Sequence, residues 1–239
     1  MKKPLSLLIT LFVIGSFAMA QEPTLDEILA KHYKAAGYDK LLKTKSIIMS
    51  GTMIQQDAMP VKIIRMRPDL YYMEFDVQDI TAYQGYDGQT AWMTAPWTGN
   101  PKPQAMPEDR AKDMRTKADF DGLLYQWKEK GHLVELAGRD TVGTTLAYKL
   151  KITKKDGGTE YLFIDPSRFI ILKRLYFRNI RGKDVPVENY FHDYKAVNGI
   201  PFAFTQDTYF GGQPYNSLQI ENIELDQPID SKIFSMPVK

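Results

Sequence analysis

Residues 144–180, TTLAYKLKITKKDGGTEYLFIDPSRFIILKRLYFRNI, decide the fold class of this chain. In the first run, Thr144–Lys154, apolar residues occupy the even positions from 146 to 152 and lysines lie between them, which is typical of a strand that buries one face. Turn signals at 156–158 and 165–166 separate this run from two more strand-like runs. The stretch therefore predicts consecutive antiparallel strands joined by short turns.

Similar runs fill most of the remaining chain. Asp87-Gly88 lies between two of them and suits a tight type I′ hairpin turn. Since no helix alternates regularly with the strands, the pattern predicts one antiparallel sheet or half-closed barrel. The runs are 46–56, 61–67, 70–77, 81–86 and 89–94 in a first series, and 133–137, 144–154, 159–164, 170–180, 185–197, 202–210 and 217–225 in a second.

Helices are predicted at the start of this region and between the two series of strands. Thr24 and Glu27 form a capping-box pattern ahead of a helix that Gly37 would end. Pro107 marks the first position of a mid-chain helix. A second mid-chain helix, ending at Gly131, is predicted from one apolar stripe. That stripe consists of Phe120, Leu123, Leu124 and Trp127. These helices would cover the apolar face of the sheet, over either a packed core or a hydrophobic cavity.

The composition is that of an ordinary globular protein. The chain has 239 residues, 44% of them hydrophobic and 25% charged, with no Cys, so disordered and disulfide-stapled classes and a thiol nucleophile are excluded. Residues 1–20 have the pattern of a cleaved signal peptide: Lys2 and Lys3, an apolar stretch and Ala18-Met19-Ala20. The expected product is a single soluble domain, 21–239, in the periplasm, without a lipid anchor.

Charge and motifs give no sign of a nucleic-acid partner or of catalysis. The chain has 31 basic and 29 acidic side chains, and loss of Lys2 and Lys3 would balance them. Its three histidines have no metal-ligand spacing, and no nucleophile elbow or phosphate loop is present, so no catalytic residue, metal or cofactor is expected. Asp119 and Asp121 are interpreted as helix-capping residues.

The basic residues of the second strand series are interpreted as solvent-facing. On exposed strands, such charges act as gatekeepers against aggregation, so they need no bound anion to explain them. The residues concerned are Lys149, Lys151, Lys154, Lys155, Arg174, Arg178 and Arg181.

Four motifs in order resemble the periplasmic carriers of outer-membrane lipoproteins, the outer-membrane lipoprotein-sorting proteins. They are Arg67-Pro68-Asp69-Leu70, the run 86–92 (YDGQTAW), Phe163-Ile164-Asp165-Pro166, and the run 222–226 (NIELD) followed by Phe234 and Pro237. The resemblance implies a mainly β fold with some α: a strongly curved antiparallel sheet that forms an unclosed β-barrel, plugged by the N-terminal helix and a mid-chain helical lid. The chain departs from the family in its extra strand material between Gly182 and Tyr215.

The function that the resemblance implies is non-enzymatic carriage of acyl chains. A monomer would bind an acylated lipoprotein or lipid, receive it from an inner-membrane release complex and deliver it to an outer-membrane acceptor. Arg67 would tether the lid to the sheet through backbone carbonyls of the lid. The residues expected to line the cavity and lid are Tyr71, Met73, Phe75, Trp92, Leu123, Leu124, Trp127, Leu150 and Phe204.

Two other interpretations remain open from the sequence. A protein-interaction or lipid-sensing module could have the same fold with no transported cargo. A carbohydrate-binding or hydrolytic protein could use Trp92 and Trp97 as stacking platforms beside Asp87. The last interpretation requires both indole rings to be exposed on one surface.

Overall fold

The fold is one antiparallel sheet. The structure, a computed structural model, describes residues 22–77 and 80–237. The signal peptide expected at 1–20 lies outside these residues. Thirteen strands form the sheet in the described ranges. They are β1 Ser46–Ile54, β2 Ala58–Met66, β3 Leu70–Val77, β4 Ile80–Tyr86, β5 Ala91–Ala95, β6 Asn100–Ala105, β7 Leu133–Val142, β8 Thr145–Thr153, β9 Thr159–Ile164, β10 Ile171–Ile180, β11 Lys183–Val197, β12 Ile200–Phe210 and β13 Gln213–Leu225.

The strand order explains why the barrel stays open. It runs β6-β5-β4-β3-β2-β1-β13-β12-β11-β10-β9-β8-β7, so β6 and β7, adjacent in sequence, form the two outer edges of the sheet. The chain between them, 106–132, therefore lies where the barrel would have to close. A bulge at Ser50/Gly51 adds to the curvature of the sheet. A Cβ on Gly51 would lie 2.0 Å from the Gln219 carbonyl oxygen, so only glycine fits there.

Two local features of the first strand series differ from the sequence prediction. β6 was missed because Pro101 and Pro103 argue against a strand, yet proline is tolerated on an edge strand, which needs fewer N–H donors. The prediction of a type I′ turn at Asp87-Gly88 is wrong. Gly88 has a φ of 92°, but Asp87 is not in the left-handed region that such a turn needs. Instead the Asp87 carboxylate accepts hydrogen bonds from the N–H groups of Gln89 and Thr90.

Three α-helices lie among the described residues: α1 Leu25–Ala35, α2 Tyr38–Leu41 and α3 Glu108–Ala118. Short 3-10 helices occur at Pro96–Thr98 and Ser231–Phe234. The capping box of Thr24 and Glu27 is present, and Gly37 follows α1 with a φ of 68°. Pro107 is the N-cap of α3 and not its first helical residue. In the described part of the chain, no helix is both long and apolar enough to cross a membrane.

The prediction of a second mid-chain helix is wrong. Residues 119–132 form a series of turns, in which Gly122 and Gln126 have φ values of 76° and 49° that no α-helix accommodates. Side chains from elsewhere bind the carbonyls of this segment: Tyr38 donates to Asp121 O at 2.6 Å. The predicted apolar stripe is nevertheless largely buried, since Phe120 and Leu124 are each 2% exposed. The apolar stripe therefore predicted correctly that these residues are buried, but it predicted the wrong secondary structure for them.

The concave face of the sheet holds the core in separate clusters. α1 covers β7–β9 through Ile28 and Leu29, which pack with Leu124 and Leu150. α3 covers β2–β5, and the alanines and methionine of its inner face are buried there.

Burial of His32 in α1 predicts a pH-dependent stability. The ring is 3% exposed and donates from Nδ1 to the Phe169 carbonyl oxygen at 2.8 Å. Desolvation lowers the pKa of His32 below its ordinary value of 6.5, although the hydrogen bond opposes this. Below pH 6.5 the unfolded chain therefore binds more protons than the folded one. The contribution of neutral His32 to the free energy of unfolding is complete above pH 6.5 and is lost as the pH falls below that value.

We expect urea denaturation to give a smaller free energy of unfolding at about pH 5.5 than at about pH 8, on either side of the ordinary histidine value. Burial also lowers the pKa of His132, which acts in the same direction. His32→Asn keeps a donor for Phe169 and cannot become charged, so this variant should show a weaker pH dependence. An equal slope in the variant would exclude His32 as the cause.

Candidate functional site: a methionine-lined groove

A groove of about 540 Å³ opens between the concave face of β1–β5 and α3. Phe75 and Val77 of β3 line part of this groove, and Trp97 lies at its rim and is 53% exposed. The rings of Phe75 and Trp97 are 6.3 Å apart. We call it the methionine groove because six methionines line it: Met53, Met59, Met73, Met93, Met106 and Met114.

Strand register brings these methionines to one face. Met53 pairs with Met59 across β1 and β2, and Met73 and Met93 both pair with Gln84 of β4. Residues directly opposite in antiparallel strands point to the same side, so the four strand methionines lie on one face of the sheet. Met114 of α3 faces them from above. Methionine is flexible and polarizable, so such a surface adapts to apolar ligands of varied shape.

The other wall of the interior is charged. Arg174 Nε of β10 lies 2.6 Å from Glu160 Oε2 of β9, and Lys154 Nζ lies 2.8 Å from Glu160 Oε1. Asp113 of α3 lies 3.3 Å from Arg178 of β10 through Oδ2. We call these five residues, together with Lys117 of α3, the charged wall.

The charged wall corrects the solvent-facing interpretation of three basic residues. Arg174 and Arg178 pair with β11 residues of the concave face, and the side chains of Arg174 and Lys154 are 15% and 14% exposed. Alternation alone does not show which face of β10 is inside, because both faces carry apolar residues. Lys149 and Arg181, by contrast, are not part of this cluster.

The carboxylates of the charged wall stay ionised. Burial opposes ionisation of Glu160, but the positive charges of Arg174 and Lys154 and hydrogen bonds from them lower its pKa. Asp113 behaves in the same way: burial opposes its ionisation, and the charges of Lys117, Arg174 and Arg178 lower its pKa. The wall is therefore a set of ion pairs in a poorly solvated place.

Arg67 joins three parts of the chain. Its guanidinium donates to both carboxylate oxygens of Asp121 at 2.7 and 2.8 Å, to the Leu41 carbonyl at 2.9 Å, and through Nε to the Thr44 carbonyl at 2.7 Å. The carbonyl acceptors lie in and after α2, whereas the mid-chain contact is a carboxylate. In the mid-chain segment itself, a backbone carbonyl, that of Asp119, accepts from Arg65 at 2.5 Å.

The helix-capping interpretation of Asp119 and Asp121 is corrected by the same contacts. No helix begins at either residue, because the segment forms turns. Asp121 forms the ion pair with Arg67, and Asp119 forms one with Lys130 at 2.6 Å. Both carboxylates hold the mid-chain segment in place.

Most of the residues predicted to line a cavity or lid belong to core clusters, although Leu123 also lines a cavity at the end of α3. Met73 and Phe75 line the methionine groove. Tyr71 packs beneath α3, and Phe204 packs with Phe120 in a separate cluster. The remaining four interior residues belong to the cluster under α1: Leu123, Leu124, Trp127 and Leu150.

Trp92 lies on the opposite face of the sheet. It pairs with Gly85, which pairs with Tyr72 on the outer side, and its indole N–H donates to the Phe234 carbonyl at 2.7 Å. Its ring is 2% exposed under the 3-10 helix Ser231–Phe234. A Cβ on Gly85 would lie 2.4 Å from the ring. Trp92 therefore lies outside the methionine groove and lines a separate cavity on the outer face. The carbohydrate-stacking interpretation fails, since it required both indoles to be exposed.

Two other cavities are slightly larger than the methionine groove. One of about 640 Å³ lies at the end of α3, lined mainly by charged side chains such as Lys112, Arg115 and Lys155. Another, of about 630 Å³, lies on the outer face beside Trp92 and Pro237. Within residues 22–77 and 80–237, no group of three or more His, Asp or Glu side chains is arranged to hold a metal ion.

Sequence reasoning missed most of the groove. Met53, Met59 and Met93 sit in predicted strands or their turns, and the register of β1, β2 and β5 decides that they meet. Their only signal in the sequence was the abundance of methionine, with 11 in the chain.

Comparison with known proteins identifies the fold. No protein-family model matches the sequence, and no curated protein sequence is significantly similar to it. Solved structures are similar. An outer-membrane lipoprotein-sorting protein domain from Vibrio parahaemolyticus has 14% sequence identity and a TM-score of 0.55, over 86% of this chain and 97% of that one.

Two further structures align over similar lengths. A DUF1329 family protein from Desulfovibrio piger has 12% identity and a TM-score of 0.60, over 87% of this chain and 97% of that one. A LolA superfamily protein from Nitrosomonas europaea has 12% identity and a TM-score of 0.60, over 90% and 98%. The chain thus has the unclosed-barrel fold of outer-membrane lipoprotein-sorting and LolA superfamily proteins, and the resemblance and fold class expected from its sequence are confirmed.

Proposed function

We propose that this protein is a non-enzymatic periplasmic carrier that holds an acyl chain of a lipid or lipoprotein in the methionine groove. The observation that carries the proposal is the row of methionines on the concave face, roofed by α3. The fold supports it, because a structure of the same fold is described as a lipoprotein-sorting domain. Transfer from an inner-membrane release complex to an outer-membrane acceptor, by a monomer, completes the proposed role.

The groove has a volume that suits such a ligand. Its volume of about 540 Å³ falls within the usual range for small-molecule pockets, roughly 300–1,000 Å³. Burial of each methylene is worth about 0.8 kcal/mol, so affinity should rise by up to about fourfold per added CH₂ until the groove is full. A core that merely left a packing gap would show no such dependence on chain length.

Substituting a groove methionine tests the location. Met73→Trp places a large ring in the middle of the groove, and overpacking by about 1–3 kcal/mol should weaken acyl-chain binding by about fivefold or more. The measurement is displacement of Nile red, an uncharged apolar dye, by saturated acyl ligands of increasing length. Since Met73 is only half-buried, the variant should remain folded, which near-UV circular dichroism checks.

Met66→Trp is the matched control. Met66 is also half-buried, but it lies on the opposite face of the neighbouring strand β2, so its substitution should leave binding unchanged. Unchanged binding in folded Met73→Trp, or equal losses in the two variants, would contradict the proposed site. Absence of acyl-chain binding in the wild type would favour a protein-interaction module.

A further inference from the structure

Positive charge is in excess where the methionine groove meets the charged wall. Arg110, Lys117 and Arg178 line the groove together with a single carboxylate, that of Asp113. Lys117 Nζ and Arg178 Nη2 approach the same oxygen, Asp113 Oδ2, at 3.4 and 3.3 Å. Lys117 and Arg178 thus share one carboxylate oxygen at long distances, and Arg110 is not paired with it.

Hydrogen-bonding capacity is also left over there. Arg178 Nε is buried and has no hydrogen-bond partner among the described residues, and the same is true of Asp113 Oδ1 beside it. Farther along the charged wall, Arg174 Nη2 and Glu160 Oε1 also have none. Buried donors without a partner cost free energy, so structures normally satisfy them. Lys117 and Arg178 keep 39% and 30% of their side-chain surface exposed, and both line the groove, so a ligand in the groove can reach them.

We infer that the ligand of the methionine groove is an amphiphile whose head carries anionic oxygen atoms, a phosphate or a carboxylate, bound by Arg178 and Lys117. The inference rests on the proposed function, because the acyl chain is what occupies the methionine surface. An uncharged head leaves the surplus cations without a counterion, and a cationic head is repelled by them. Guanidinium is also the group whose geometry best fits oxyanions.

The head-group preference can be measured on the wild-type protein. Dodecyl phosphate, dodecanoate and dodecanol have the same chain and differ in the head, and each is titrated against Nile red. We expect the two anions to bind at least about tenfold more tightly than the alcohol, the factor expected for one gained charge-assisted hydrogen bond. Salt should reduce this difference, because it screens partly exposed charges.

Inorganic phosphate alone distinguishes a lipid head from a free anion. We expect it neither to displace Nile red nor to compete with dodecyl phosphate at millimolar concentration. Competition by inorganic phosphate would mean that the site binds a free anion independently of the chain, which would overturn the inference. Equal binding of the alcohol and both anions would overturn it while leaving the proposed function intact. No binding of any dodecyl ligand would remove the proposed function itself.

Three variants locate the head. Arg178→Met keeps the apolar stem and should reduce the preference for the anions about tenfold, with binding of dodecanol unchanged. Asp113→Asn removes the competing carboxylate and should increase the preference. Lys183→Gln, the matched control, removes one exposed positive charge on β11 away from the groove and should change neither. An unaltered preference in folded Arg178→Met contradicts the assignment.

Discussion

Glu160→Gln should lower the free energy of unfolding by about 3 kcal/mol, because it leaves two buried cations without their counterion. The Glu160 side chain is 2% exposed and lies 2.6 Å from Arg174 and 2.8 Å from Lys154. The amide that replaces it can still accept a hydrogen bond but no longer neutralises either charge. Urea denaturation at neutral pH measures the loss.

The control for this prediction lies on β7. Glu135 is 51% exposed and lies 3.7 Å from Lys151, so Glu135→Gln should change the free energy of unfolding by less than about 1 kcal/mol. The lowered pKa of Glu160 adds a second check. Its contribution is present above the ordinary value of 4.5 and lost as the pH falls below it, so wild type and variant should converge in acid. Equal effects of the two substitutions would show that the charged wall is solvated.

Arg67→Met should also destabilise the protein by about 3 kcal/mol, and it should loosen the mid-chain segment in particular. The substitution removes the bidentate contact to Asp121, whose side chain is 19% exposed, and leaves the carbonyls of Leu41 and Thr44 without their donor. Hydrogen exchange of residues 119–132 should therefore accelerate more than exchange of the sheet.

Arg139 supplies the comparison for Arg67. Its ion pair with Glu22, in which Glu22 is 68% exposed, has a similar length of 2.8 Å. Arg139→Met should cost less than about 1 kcal/mol and leave exchange at 119–132 unchanged. If Arg67→Met speeds exchange uniformly across the chain, the guanidinium stabilises the fold without specifically holding the segment.

The sheet could be predicted from the sequence because strand alternation and turn residues are local signals. Twelve of the strand runs were expected, and β6 was hidden by Pro101 and Pro103, whose tolerance depends on the strand lying at an edge. α1 could be predicted equally well, because its cap is local: Thr24 and Glu27, three residues apart, hydrogen-bond to each other. The second mid-chain helix failed because distant side chains bind the carbonyls that a helix would use.

The site was harder to predict because it depends on which face of each strand is concave. Alternation separates Trp92 from Ala91 and Met93, but only the packing of Phe234 shows that Trp92 is on the outside. Arg174 and Arg178 resemble surface residues until β9 and α3 bring Glu160 and Asp113 to them. Met73 and Phe75 were expected in the cavity, and the methionines that join them come from neighbouring strands and from α3, so the register of those strands decides the site.

A methyl NMR titration of the protein carrying ¹³C-methyl methionine, with dodecyl phosphate added, tests whether an acyl chain occupies the methionine groove. We expect the six groove methionines to shift and Met66, on the opposite face, to stay unchanged. Assignment by single Met→Leu substitutions identifies each signal. Shifts confined to methionines outside the groove, or saturable binding with no methionine shift, would contradict the claim that an acyl chain occupies it.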